Sequence, residues 1–364
     1  MLHNFYTKTL FYLLYFVIII PIKTNAQNIG NEWINYKQSY FKIKITQKGI
    51  YQIDYEELKS SGFPINVNPQ KIQLFRNGYE QAIFIKGEDD QQFNNGDFIE
   101  FYAEGNDGSL DSLLYAPAKS QPHQYYSLYT DTASYFLTYS TDNQVGKRMK
   151  ALQKTNERNL KLETFHLEES LQLFTLSYSE GQPEPIGTTL NSGILNSNYS
   201  YGKGWSGEIQ QPNISTSFNF ILKNIIKSDS IKPTLEILFA GRSAGQHSIE
   251  TWFNEDSKQR LIDTIFFNNY STHKSSKIVN FQDITNDKLR VSTRSNASLN
   301  DQYSVSYLKL IYPQNFDMNG TTEKVFNLNQ NALPERFISI PNAPVGVQLY
   351  DISAKYVSKV VSNV

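Results

Sequence analysis

Leu235-Glu236-Ile237-Leu238-Phe239-Ala240, then Gly241-Arg242-Ser243-Ala244-Gly245, then Ile249-Glu250-Thr251-Trp252-Phe253 reads as strand, turn and strand. The first run is apolar but too short for a typical helix, and residues 248–253 alternate with the period of two that a strand requires. The glycines at 241 and 245 supply the break between them. The same grammar recurs at 218–221, 262–267 and 303–312. Many short strands, turn residues between them and no helical period predict an all-β, mainly antiparallel chain. Over residues 161–333 they predict a sandwich of the jelly-roll kind.

Working towards the N-terminus, residues 27–141 read as a smaller β-rich domain with one short helix. Phe41, Ile43 and Ile45 alternate with Lys42 and Lys44, a strand with one wet face. A helix is predicted from about 55 to 61. Asp54 and Glu57 have the reciprocal capping-box spacing, Ile53 and Leu58 the staple spacing, and Gly62 and Pro64 stop it. Asn77-Gly78 between 72–76 and 79–85 predicts a hairpin, because that pair tolerates two positive φ values. Further strands are expected at 98–102 and 135–139. Residues 142–160 are polar, carry Lys or Arg at 147, 148, 150, 154 and 158, and read as a basic linker. Residues 334–364 read as the start of a further, incomplete β segment.

The first 26 of the 364 residues read as an export signal, leaving 364 − 26 = 338 to fold, enough for about two domains. The apolar run from Leu10 to Ile20 holds 11 residues. As a helix it would rise only about 16 Å, against a bilayer core of about 30 Å. Cleavage is expected between Ala26 and Gln27, with the mature chain in the periplasm, on the outer-membrane surface or outside the cell. Lys and Arg number 34 against 35 Asp and Glu, so no net field draws the chain to nucleic acid. There is no cysteine, which removes disulfides, zinc thiolates, iron–sulfur clusters and thiol nucleophiles.

Several motifs bear on chemistry. Residues 241–245 fit G-x-S-x-G with His247 close by, but a nucleophile elbow needs a helix after the strand, and here a strand follows. Residues 202–207 fit G-x-G-x-x-G without the strand before and helix after that a dinucleotide site demands, so a loop is expected. Glu104, Asn106, Asp107 and Asp111 bring oxygens close together, yet lack the twelve-residue calcium frame. A solvated turn is the favoured reading, with calcium at the Asp107 loop left open. The histidines at 3, 123, 166, 247 and 273 show no metal-ligand spacing. No cofactor, metal or catalytic residue is assigned. Tyr125, Tyr126, Tyr129 and Tyr135 form an aromatic cluster that suits core packing, or stacking on sugars.

The sequence also resembles a known family. The carrying stretches are Trp33-Ile34-Asn35-Tyr36, Tyr40-Phe41-Lys42-Ile43, Gly49-Ile50-Tyr51, Leu74-Phe75-Arg76-Asn77-Gly78, 95–102 and 106–111. Residues 126–137 are the most specific, and Gly202-Lys203-Gly204-Trp205, 307–313 and Leu349-Tyr350-Asp351-Ile352 continue the match. These resemble the region preceding the peptidase domain in type IX secretion system sortases, the PorU-like relatives of the gingipain cysteine peptidases of Bacteroidetes. The resemblance implies an exported, non-catalytic accessory or scaffold region. The parent activity would be cleavage of C-terminal sorting signals and attachment of cargo. The family's His and Cys would fall beyond Val364, so no enzyme activity is expected of this chain. Protein partners are expected: a peptidase domain, secreted cargo or outer-membrane components. The alternative is a free-standing carbohydrate-binding or adhesin sandwich that uses the cluster near Tyr125.

Overall fold

In a computed structural model the described residues are 30–364 except 143, 154–159, 229, 255–257, 298, 330–334, 354–357 and 362–364. The expected export signal, with Ala26 and Gln27, lies outside the described residues. The first domain opens with β1 (Phe41–Ile45), whose Phe41, Ile43 and Ile45 face the core while both lysines stay exposed. β2 (Gly49–Asp54) leads into α1 (Tyr55–Ser60). The capping box forms as read: Glu57 N–H donates to Asp54 Oδ1 at 2.8 Å, and Asp54 N–H donates to Glu57 Oε2 at 3.0 Å. Leu58 is the residue α1 buries.

β3 (Ile72–Arg76) and β4 (Tyr79–Gln81) flank Asn77 and Gly78, at φ 49° and 80°. The stretch expected as one strand to residue 85 divides at Ala82. β5 (Ile83–Lys86) crosses to a second sheet, where it pairs with β6 (Phe98–Ala103). The division buries Ile83 and Ile85 between the sheets rather than on one. With β7 (Ala133–Tyr139), the order is β1-β7-β3-β4 in one sheet and β2-β6-β5 in the other. Leu74, Ile83, Ile99, Phe101 and Tyr135 form the centre of this core.

Part of the polar 142–160 segment is built into that domain. Gly146 N–H donates to Gln70 O at 2.8 Å and Met149 N–H to Ile83 O at 2.9 Å. Arg148 reaches Glu88 Oε2 at 2.7 Å, Pro69 O at 2.7 Å and Ile72 O at 3.1 Å. β8 (Lys150–Gln153) follows.

The second domain takes β9 (His166–Leu173), then an arm of β10 (Ser177–Glu180), β11 (Pro183–Glu184), β12 (Ile194–Leu195) and β13 (Lys203–Ser206). The sandwich continues through β14 (Thr216–Ile221), β15 (Thr234–Gly241), β16 (Gln246–Phe253) and β17 (Arg260–Asn268). It ends with β18 (Thr272–Ile278), β19 (Lys288–Ser295) and β20 (Tyr303–Gln314). The sheets are β9-β20-β15-β18 and β14-β19-β16-β17. Leaving the arm aside and counting in chain order, these read 1-8-3-6 and 2-7-4-5, the strand order of a jelly roll. Phe220, Phe239, Phe253 and Tyr303 fill the space between them.

After β20 the chain doubles back. Leu167 N–H donates to Asn327 O, and Glu163 N–H to Phe337 O, both at 2.8 Å. β21 (Leu349–Asp351) and β22 (Ser358–Val361) then form a three-stranded sheet with β8, in which β22 lies parallel to β8. Tyr350 packs on the first core and its hydroxyl donates to Glu100. Among the described residues no helix is long and apolar enough to cross a membrane.

Candidate functional site

Between β6 and β7 the chain forms a long loop whose own hydrogen bonds shape it. Asp111 accepts Leu128 N–H at 2.7 Å, and Gln121 Nε2 donates to Gly108 O at 2.6 Å. Asn106 Nδ2 donates to Thr130 O at 2.9 Å. A Cβ on Gly108 would stand 2.7 Å from Tyr126 O, so only glycine lets the two passes of the loop lie this close. The loop presents Tyr115, His123, Tyr125 and Tyr126 to the second domain.

There the seam forms. Tyr115 OH donates to Lys203 O at 2.8 Å, and Ala116 N–H to Tyr199 O at 2.8 Å. Tyr125 meets Tyr307 edge to face at 5.0 Å, and Lys309 Nζ donates to Tyr125 OH at 2.8 Å. Tyr307 OH donates to Glu236 Oε1 at 2.7 Å. A narrow cleft opens in the seam, walled by Tyr115, Tyr126, Trp205, His123 and Asp111, with room for about one water molecule. Trp205 Nε1 is buried there without a hydrogen-bond partner among the described residues.

The electrostatics of the seam favour holding over reacting. Burial pushes up the hydroxyls of Tyr115, of Tyr307 and of Tyr178, whose ring meets Trp205 at 5.2 Å, so all three stay protonated in neutral solution. Burial pushes His123 down to about 4. Burial also opposes charge on Lys309, but its bond to Tyr125 and the nearby Glu236 carboxylate outweigh it and hold the ammonium above its ordinary value. For Glu236, burial is outweighed by Tyr307, Lys309 and Lys274, which hold the carboxyl below its ordinary range. Neutral phenols beside a fixed ion pair make a latch of hydrogen bonds, with no activated nucleophile in it.

The other residues singled out from the sequence lie apart from this seam. Residues 241–245 join β15 to β16, two strands, and Ser243 Oγ accepts Gln302 N–H at 3.0 Å. His247 sets Nδ1 against Asp301 and Nε2 against Asn269 O at 2.7 Å, so both ring nitrogens are engaged and neither serves Ser243. A Cβ on Gly241 would lie 1.9 Å from Asn269 O, which accounts for that glycine by packing. The segment 202–207, expected as a loop, is instead largely strand β13, because 203–206 pair with β10. Glu104 bonds Tyr102 OH at 2.6 Å, Asp107 accepts Ser109 N–H at 2.9 Å, and Asp111 is buried. Those oxygens serve separate partners, and no metal-holding group of three His, Cys, Asp or Glu occurs among the described residues.

Of the tyrosine cluster, Tyr135 is buried in the first core, Tyr125 and Tyr126 line the seam, and Tyr129 is exposed. The seam's other half, Trp205, Glu236, Tyr307 and Lys309, was not singled out as a site from the sequence, although Trp205 and 307–313 lie in stretches that carry the resemblance. Its signal was the alternation of Tyr307 and Lys309 with the buried Leu308 and Leu310, which marks an outer face without saying what covers it.

No family model and no curated protein sequence matches the chain. Among solved structures, dimeric latent PorU from Porphyromonas gingivalis is similar with a TM-score of 0.54 and 17% identity, over 88% of this chain and 29% of that one. This is a likeness of fold, and the chain spans 29% of PorU's length. The CBM36-1 domain of a multidomain xylanase from the hindgut metagenome of Trinervitermes trinervoides matches 39% of this chain and 96% of its own, at 11% identity. Its TM-score is 0.24.

Proposed function

We propose that the chain is an exported, non-catalytic accessory region of a PorU-like type IX secretion sortase, acting as a scaffold for a peptidase domain. The observation that carries this reading is the fold likeness to PorU across both domains. In this reading the chain does no chemistry itself. The engaged ring of His247 and the protonated phenols of the seam are consistent with that. A docking role is supported by the arm around β11 and β12, which exposes Ile186, Leu190, Ile194 and Leu195. The occupant proposed for it is the peptidase domain. The gene past codon 364 can be sequenced and the encoded domain co-purified with residues 27–364. A stoichiometric complex weakened by Ile186→Ser and Ile194→Ser is expected. A downstream sequence without a His and Cys peptidase domain, or a domain that ignores this chain, would overturn the reading.

The rival, a carbohydrate-binding sandwich, rests on exposed Tyr129, since Tyr125 and Tyr135 are committed to packing. A glycan array with wild type and Tyr129→Ala separates the two. Sugar binding lost in the variant would favour the rival.

A further inference from the structure

Among the described residues, His123 is the one histidine that lies in the seam. Its Nδ1 accepts Tyr125 N–H at 3.2 Å, it shares the cleft wall with Trp205, and it meets the Tyr307 ring edge to face at 5.7 Å. A backbone N–H aimed at Nδ1 requires that nitrogen to be bare, which fixes the neutral ring with its hydrogen on Nε2. Protonation would set two hydrogens against each other at Nδ1. Tyr125 would lose its seat, and with it the bond from Lys309.

We propose that His123 is an acid-sensitive latch: neutral, it holds the 104–132 loop on the second domain, and protonated, it releases the loop and opens the seam cleft. The charged groups of the surrounding elements do not replace the lost bond. Asp111 is committed to Leu128 N–H, and Glu236 is shared by Tyr307, Lys309 and Lys274. Burial holds the closed-state ring at about 4 rather than 6.5. A depressed value means that the closed seam is fully favoured above about 6.5 and loses ground as pH falls towards about 4. A gap of that size moves the closed-to-open ratio by about two orders of magnitude. The latch belongs to this chain alone, whatever else docks on it.

The absence of cysteine makes the test clean. Spin labels on Leu113→Cys and Leu299→Cys, 84% and 83% exposed on either side of the seam, report the loop-to-sandwich distance in the otherwise intact protein from pH 8 to 4. In wild type the distance distribution is expected to broaden to longer values in acid while circular dichroism stays unchanged. His123→Gln, whose amide oxygen can accept Tyr125 N–H without titrating, should stay closed. His166→Gln should still open, since that ring lies in the second domain away from the seam. An NMR titration of the His123 ring in the unlabelled protein guards against a misfolded variant. Titration near 6.5, or an identical opening in His123→Gln, would overturn the latch.

Discussion

The second domain draws the eight strands of its sandwich from one continuous stretch, residues 166–314, and its core is filled by their own inward faces. The first domain takes its sheets from residues 41–139, but also borrows Met149 from just beyond them and Tyr350 from far along the chain. In the second domain alternation along each strand suffices, because every inward residue finds the opposite sheet. In the first, the sheets have four and three strands and leave carbonyls and apolar edges that local sequence does not cover. Residues 146–153 and the chain's end cover them. One domain is thus closed by its own pattern, and the other by segments whose composition reads as linker or tail.

The largest effect that could break this contrast is in the sandwich core. Phe253 is fully buried, and Phe253→Ala should cost about 3–5 kcal/mol. Hydrogen exchange should show the loss across β14–β20 with little change in β1–β7. A spread into the first domain would mean that the two close as one unit.

Acid should find the sandwich next. Burial pushes His166 down to about 4, with the nearby Lys324 charge adding to it. Its contribution is therefore complete above about 6.5 and drains away towards about 4, by up to about 3 kcal/mol. Denaturant midpoints between pH 7 and 4 should fall less in His166→Gln than in wild type.

Arg148→Ala tests the borrowed half of the comparison. It leaves the carbonyls of Pro69 and Ile72 and the Glu88 carboxylate without their donor, and should cost about 2 kcal/mol confined to the first domain. Were 142–160 simply a solvated linker, the loss would be near zero. The smallest effect is Tyr350→Phe, which removes the hydroxyl bond to buried Glu100 and should cost about 1 kcal/mol. Exchange protection should drop in β21 and β22 before anywhere else.

How much was legible follows from which forces are local. The α1 cap, the Asn77-Gly78 turn and strands such as β15, β16 and β20 could be read because capping, φ preference and period-two burial are set within a few residues. β9 (HLEESLQL) and β18 (THKSSKI) were not foreseen. Both are edge strands, with too few apolar residues to declare a face, and they form because β20 and β15 present them with a ladder. The seam was half visible: Tyr125 and Tyr126 stood out in the aromatic cluster, whereas Trp205 was read in a loop and Glu236 and Lys309 only as parts of strands.

By itself the sequence determined the β architecture, the sandwich class and the want of a sulfur nucleophile, since composition and alternation act residue by residue. Only the tertiary structure decided that the 104–132 loop lies on β13 and β20, that Arg148 and Tyr350 complete the first domain, and that His123 meets Tyr307 across the seam. Those are contacts between residues up to 250 positions apart, and no local preference encodes which exposed face will meet another.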